Sequence, residues 1–176
     1  MAALAQRGWT LSHIFLTHHH ADHVDGLDLL LKTHPAKVIG AAADAHRLAA
    51  LDLAVREGDF ISIGGYRGEI MDVSGHTLGH IALHFPETKA AFTADSLMAL
   101  GCGRLFEGSP QLMFESLTKL AALPAQTWVY SGHEYTASNL KFAFSIEPDN
   151  VRLISRGEKI TAARKAGLPT GPELLS

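Results

Sequence analysis

The chain has 176 residues, 47% of them hydrophobic and 19% charged, enough apolar material for one buried core and too much for a disordered, collagen-like or disulfide-stapled chain. Fifteen Lys and Arg against 18 Asp and Glu leave a formal charge of -3, with no basic run to track a phosphate backbone, so nucleic acid is not the expected partner. A single cysteine, Cys102, excludes an internal disulfide and suits a reducing, cytoplasmic compartment. No stretch approaches the ~18 uninterrupted apolar residues of a membrane helix, and the alanine-rich start, broken by Gln6 and Arg7, lacks a signal core. Eleven histidines are the one departure from an ordinary composition.

In chain order, the apolar, partly β-branched run Ile14-Phe15-Leu16-Thr17 reads as a buried strand, and it leads directly into His18-His19-His20-Ala21-Asp22-His23. Leucines at 27, 30 and 31 keep helical spacing up to His34-Pro35, and Lys37-Val38-Ile39-Gly40 reads as a second strand. Residues 41–53, rich in Ala and Leu, are expected to form a helix. Phe60-Ile61-Ser62-Ile63, a Gly64-Gly65 turn and residues 66–73 read as a hairpin that delivers Ser74-Gly75-His76. Ile81, Leu83 and Phe85 alternate with Ala82 and His84, the pattern of a half-buried strand, which turns at Pro86-Glu87-Thr88 and returns through Ala90-Ala91-Phe92-Thr93 to deliver Asp95. Met113, Leu117, Leu120 and Ala121 mark a helix over 110–123, Trp128-Val129-Tyr130-Ser131 a strand that delivers Gly132-His133, and residues 137–144 and 151–166 two further helices.

Four strands thus end in short loops bearing histidine or aspartate, and loops at one edge of a sheet core are where functional groups gather. In an extended segment, side chains two apart point the same way, so His18 and His20 can grip one ion while His19 points elsewhere. Asp22 and His23 follow on the next turn, and four ligands so crowded in sequence suit two neighbouring ions. His76 and His133 are placed to complete one ion each, and Asp95 to bridge, which would present an activated water to a carbonyl or phosphoryl group. Lone histidines, His13, His34, His46 and His84, are read as surface or core residues, with His80 the one candidate for a supporting role behind a ligand.

The segment Thr17-His18-His19-His20-Ala21-Asp22-His23-Val24-Asp25-Gly26 resembles the signature of the metallo-β-lactamase superfamily. More narrowly, Ser74-Gly75-His76-Thr77-Leu78-Gly79-His80-Ile81, Phe92-Thr93-Ala94-Asp95-Ser96, Gly101-Cys102-Gly103-Arg104-Leu105-Phe106-Glu107-Gly108 and Gly132-His133-Glu134-Tyr135-Thr136 resemble the glyoxalase II (hydroxyacylglutathione hydrolase) family. The resemblance implies an α+β, four-layer αββα sandwich and one hydrolase domain over residues 1–176. It implies a first ion on His18, His20 and His76, a second on Asp22, His23 and His133, and Asp95 with a hydroxide bridging them. The two divalent ions would be zinc, with iron or manganese as alternatives, and Asp22 and Asp95 would carry catalytic roles.

The substrate implied is S-D-lactoylglutathione, a small-molecule thioester cleaved to glutathione and D-lactate. Arg104 matches a basic position that pairs with the glycine carboxylate of glutathione, Tyr135 matches a substrate-contact tyrosine, and Phe106 falls where some members carry another. Members of the family carry β-rich chain ahead of the helix expected at residues 1–8 and a basic segment beyond Gly171-Pro172. The resemblance therefore implies a first sheet lacking its usual N-terminal strands and a chain short at both ends, with Met1 an internal codon or the truncation natural. The alternatives are a superfamily hydrolase acting on another thioester, a lactone or a persulfide, and a truncated, inactive metal-binding remnant.

Overall fold

A computed structural model describes residues 2–175. A short helix α1 (Ala2–Gln6) precedes the first sheet, built from β1 (His13–Leu16), β2 (Lys37–Ala41) and β3 (Leu53–Val55) in the order β1-β2-β3, all parallel. Between β1 and β2 lie α2 (Ala21–Val24) and α3 (Leu27–Thr33). The second sheet runs β4 (Phe60–Ile63), β5 (Tyr66–Asp72), β6 (Ile81–Phe85), β7 (Ala90–Ala94), β8 (Trp128–Ser131) and β9 (Glu173–Leu174) in sequence order. Its neighbours are antiparallel except β7 and β8, which are parallel and joined through α4 (Pro110–Ala121), as a parallel crossover requires. The helices α5 (Thr136–Ile146) and α6 (Val151–Lys165) lie between β8 and β9.

Three apolar clusters define the layers. Ile39, Ala41 and Val55 of the first sheet pack against Ile61, Ile70, Ile81, Leu83 and Phe85 of the second. The outer face of the first sheet buries Leu16 and Val38 with Leu27 of α3, and the outer face of the second buries Met71, Val73 and Ala82 with Leu120 of α4. Helix, sheet, sheet and helix are therefore stacked in the expected four-layer order, with three strands in the first sheet. A fourth cluster, Leu140, Leu153 and Ile160, joins α5 to α6.

Two sequence expectations fail for identifiable reasons. The strand β6 is buried at every position, because Ile81, Leu83 and Phe85 enter the inter-sheet core while Ala82 enters the cluster beneath α4. The helix expected over 41–53 is absent: β2 runs to Ala41, a single 3-10 turn covers Ala42–Asp44, and β3 begins at Leu53. Tertiary partners outcompete helical propensity there. Asp44 is fully buried and holds the side chains of His19 and Arg47, while Asp52 accepts a 2.7 Å hydrogen bond from the Val38 amide and so starts the next strand. Leu48 and Leu51 close over Gly40, where an added Cβ would meet Leu48 at 2.9 Å and Leu51 at 3.0 Å.

Candidate metal centre

The loops that follow β1, β5, β7 and β8 converge. After β1, Thr17 is pinned by a 3.0 Å bond from the Ile81 amide to its carbonyl, and His18 to His20 follow in the loop before α2 supplies Asp22 and His23. After β5, Ser116 of α4 donates to the Ser74 carbonyl at 2.6 Å, fixing the loop that carries His76. After β7, Ala94 adopts φ 44°, a conformation rare for a residue with a Cβ, and turns the chain into Asp95. After β8, Gly132 lies so close to Asp95 and His23 that any side chain there would collide with the carboxylate.

Ligand-type atoms fall into groups within 4.8 Å of one another: His18, His20 and His76 in one, Asp22, His23 and His133 in a second, and His18, His23 and Asp95 in a third that joins them. Nε2 of His76 lies 3.0 Å from Nδ1 of His20, and Nε2 of His133 lies 3.2 Å from Oδ2 of Asp22. Asp95 sits between the sets, with Oδ1 3.4 Å from His23 Nε2 and Oδ2 3.2 Å from His133 Nε2 and 3.5 Å from His76 Nε2. All seven sequence-predicted ligands are thus brought together.

Protonation states suit a cation. Burial, with the adjacent His80 and His23 rings, pushes the His18 imidazole down to about 2, so it is neutral at any physiological pH. Burial likewise lowers His20. Burial works to raise the Asp95 carboxyl, yet the adjacent His23 imidazole, 3.4 Å from Oδ1, with His133 and His18, holds it at about 2. His23 is raised by that same Asp95 contact. Nε2 of His18, Nε2 of His23 and Oδ1 of Asp95 are buried without a hydrogen-bond partner. A buried polar atom left unpaired is costly, and a divalent cation among these lone pairs removes that cost. The residues therefore fit a binuclear site of nitrogen and oxygen donors.

The predicted substrate contacts rim this cluster. Phe106 is 60% exposed and sits edge-on to His20 and His76, with ring centroids 5.2 and 5.3 Å apart. The exposed Arg104 guanidinium lies 5.9 Å from the Phe106 ring centre, and Tyr135 stacks on His133 at 5.0 Å. Hydrogen bonds zip this segment to the ligand loops: Gly103 N–H to the Asp95 carbonyl at 2.9 Å and Phe106 N–H to the His76 carbonyl at 3.1 Å. Nδ1 of His76 donates to the Arg104 carbonyl at 2.6 Å, leaving Nε2 facing the cluster.

Sequence reasoning missed Asp44 and Arg47, which gave no signal inside an alanine-rich stretch. The suspicion about His80 is answered by position: it is fully buried and stacks on His18 at 4.6 Å. Of the other histidines, His84 is buried in β6, His46 is exposed, and His13 bonds to Ser12 Oγ at 2.9 Å.

Comparison with known proteins agrees with this geometry. The metallo-β-lactamase superfamily model matches residues 1–133, and the model of the hydroxyacylglutathione hydrolase C-terminus matches residues 134–176. A hydroxyacylglutathione hydrolase of Jannaschia sp. (strain CCS1) is 64% identical over 99% of this chain and 68% of its own length. One of Roseobacter denitrificans is 60% identical over 100% of this chain and 69% of its own length. The chain therefore spans about two thirds of these relatives. Among solved structures, ETHE1 from Myxococcus xanthus superposes with a TM-score of 0.68 at 30% identity, over 99% of this chain and 77% of that one. TTHA1623 in a di-iron-bound form gives 0.66 at 26% identity, over 75% and 74%.

Proposed function

The chain belongs to the metallo-β-lactamase superfamily and, within it, to the hydroxyacylglutathione hydrolase family, and from that premise we propose that it hydrolyses S-D-lactoylglutathione to glutathione and D-lactate. The observation that carries this reading is the Asp95 carboxylate, which lies between two His/Asp groups, with Oδ1 against His23 of one and Oδ2 between His133 of that group and His76 of the other. We assign His18, His20 and His76 to one divalent ion, Asp22, His23 and His133 to the other, and Asp95 to both. Bound there, two divalent cations would acidify a water and polarise a substrate carbonyl. Zinc suits these donors, and iron or manganese suits them as well.

The chain's own residues complete the chemistry. Asp95 and Asp22 supply the negative charge that keeps the pair of cations in place and accept hydrogen bonds from an attacking water. The side chain of Arg104, exposed beside the cluster, offers a cation to a substrate carboxylate, and Tyr135, held flat against His133, offers a phenolic hydroxyl. Phe106 offers only its ring. Water adds to the thioester carbonyl and the C–S bond breaks, giving D-lactate, the glutathione thiol and a released proton. The chain acts as one hydrolase domain, the C-terminal segment adding β9 to the second sheet. With its single thiol and no helix among the described residues long and apolar enough to cross a membrane, we place it in the cytoplasm.

The test is turnover of S-D-lactoylglutathione by protein loaded with metal and assayed for metal content. Hydrolysis with two ions per chain is expected, and Asp95→Ala should lose at least 10³-fold in kcat together with bound metal. Two tightly bound ions without turnover of this thioester would overturn the substrate, and turnover of another thioester, a lactone or a persulfide would replace it. Retained activity in Asp95→Ala would remove the bridging role.

A further inference from the structure

Asp44, Arg47 and Glu107 belong to neither ligand group, yet their side chains join three of the loops around the cluster. Asp44, fully buried, accepts from His19 Nδ1 at 3.0 Å through Oδ2 and from Arg47 Nε at 2.5 Å through Oδ1. Arg47 reaches onward, donating from Nη1 to Glu107 Oε1 at 2.5 Å and from Nη2 to the Leu78 carbonyl at 2.8 Å. Glu107 closes the ring: Oε2 accepts from the Leu78 amide at 2.8 Å, and Oε1 lies 3.4 Å from His19 Nε2. Leu78 is clamped on both its amide and its carbonyl, and Gly79, at φ 79°, rests on Asp44, whose Cβ would stand 3.0 Å from any added methyl. The hub is the turn after β2, where a helix was expected, and the spokes end on the loops of His18 to His20, of His76, and of Arg104 and Phe106.

The loops carrying the metal-type ligands have anchors of their own. Ile81 N–H holds the Thr17 carbonyl, Ser116 holds the Ser74 carbonyl, and Gly79 N–H holds Ser74 Oγ at 3.0 Å. The segment 103–108 is different. Its ties to the rest of the protein are backbone bonds, the bond from His76 Nδ1 to the Arg104 carbonyl, and the Glu107 carboxylate, the one side chain of the segment that hydrogen-bonds elsewhere among the described residues. Removing Glu107 therefore loosens Arg104 and Phe106 first and the ligand loops least. Charge-assisted bonds of this kind are the stronger class, and planar, forked contacts fix orientation as well as distance.

We propose that Asp44, Arg47 and Glu107 are positioning residues that set the Arg104–Phe106 segment against the metal loops and so govern substrate binding rather than metal retention. The inference rests on the thioester hydrolysis proposed above for its kinetic readout, and on backbone exchange for a readout independent of it. In metal-loaded Glu107→Ala, KM for S-D-lactoylglutathione rises about tenfold or more, kcat stays within about threefold, and two ions remain bound. Glu107→Gln keeps one acceptor oxygen where the carboxylate offers Oε1 to Arg47 and Oε2 to the Leu78 amide, so its KM falls between that of Glu107→Ala and that of the parent. A merely structural lesion lowers kcat and metal content together, because fewer molecules are folded, and leaves KM where it was.

Hydrogen exchange followed by NMR needs no turnover. In Glu107→Ala the amides of Leu78, Phe106 and Gly108 exchange at least tenfold faster, while those of β6 and α4 keep their protection. Absence of turnover in the parent protein would defeat the proposed activity and leave the exchange test standing. Parental exchange at Leu78 and Phe106 in Glu107→Ala, or an unchanged KM with lowered kcat, overturns the positioning role.

Discussion

Gly103→Ala is the sharpest probe of how the substrate-side segment orients a ligand. A Cβ at residue 103 would collide with the Asp95 carbonyl oxygen and stand 2.7 Å from Nδ1 of His76. Neither obstacle is the loose end of a flexible chain: one is backbone, and the other is a ring 4% exposed that is held by the Arg104 carbonyl at 2.6 Å. Relieving the clash by a partial backbone shift costs about 1–3 kcal/mol of overpacking. Escaping it breaks the Gly103 to Asp95 and His76 to Arg104 hydrogen bonds, each contributing about 1 kcal/mol. Either cost is smaller than the roughly 5–15 kcal/mol that keeps a domain folded, so the variant folds and the segment shifts. Losing the partner that orients a ligating histidine typically reduces metal affinity by about 10–100-fold. Circular dichroism should match the parent, titration against a competing chelator should show one ion weakened by about 10–100-fold, and kcat/KM should fall at least as far. Parental metal affinity and kcat in Gly103→Ala would refute the assignment of the Arg104 carbonyl as the group that orients His76.

Two further perturbations test other layers of the same reasoning. Glu134, next to His133, accepts from the Thr170 amide at 2.8 Å and its hydroxyl at 2.6 Å; burial works to raise its carboxyl, but the Thr170 hydroxyl and amide prevail and hold it at about 2. A carboxyl depressed in the folded state stabilises above its unfolded pKa, and that stability is lost as pH falls from about 4.5 towards about 2. The full conversion is roughly 3 kcal/mol, which water screening of this exposed group reduces to about 1 kcal/mol. Glu134→Gln should therefore lower Tm by about 2–4 °C at pH 7, with the gap narrowing from pH 5 to pH 3; a gap constant with pH would contradict the charge-based account. Leu120, 0% exposed beneath α4, tests the packing layer: Leu120→Ala should cost about 3 kcal/mol and lower Tm by roughly 6–12 °C. Two metal ions should still bind, and a Tm loss below about 2 °C would show that α4 does not depend on this contact.

The convergence of the proposed ligands was legible because its signals are local. His18, His20, Asp22 and His23 are neighbours in sequence, and His76, Asp95 and His133 each follow a run with strand periodicity, so naming the strand names the residue at its end. Asp44 was illegible for the opposite reason. Its partner Arg47 lies across a turn, but His19 lies 25 residues away on the loop after β1 and Arg47's partner Glu107 on a distant loop, and the intervening alanines and leucines carry helical propensity that the buried carboxylate overrides. The strand β9 has two residues, too few for any periodicity. The burial of β6 could not be read from Ile81 to Phe85 alone, since alternating side-chain size looks the same whether the second face meets water or a helix.

A further limit separates the list of ligands from the geometry that makes them a site. Asp95 lies between both groups only because the chain turns sharply at Ala94, and a left-handed φ at a residue with a Cβ costs on the order of 1–3 kcal/mol. Alanine carries no sign of that conformation. The surrounding bonds sustain it: Gly132 N–H binds the Ala94 carbonyl at 3.0 Å, Ser96 N–H binds the Thr93 carbonyl at 3.1 Å, and Thr93 Oγ1 binds the Leu97 carbonyl at 2.8 Å. The bond from Gly132 also ties the loop bearing His133 to the one bearing Asp95, so the strand pairing of β7 with β8 fixes the separation of these ligands before any ion arrives. A relaxed turn at Ala94 would leave all seven side chains present and the Asp95 carboxylate aimed at one group alone.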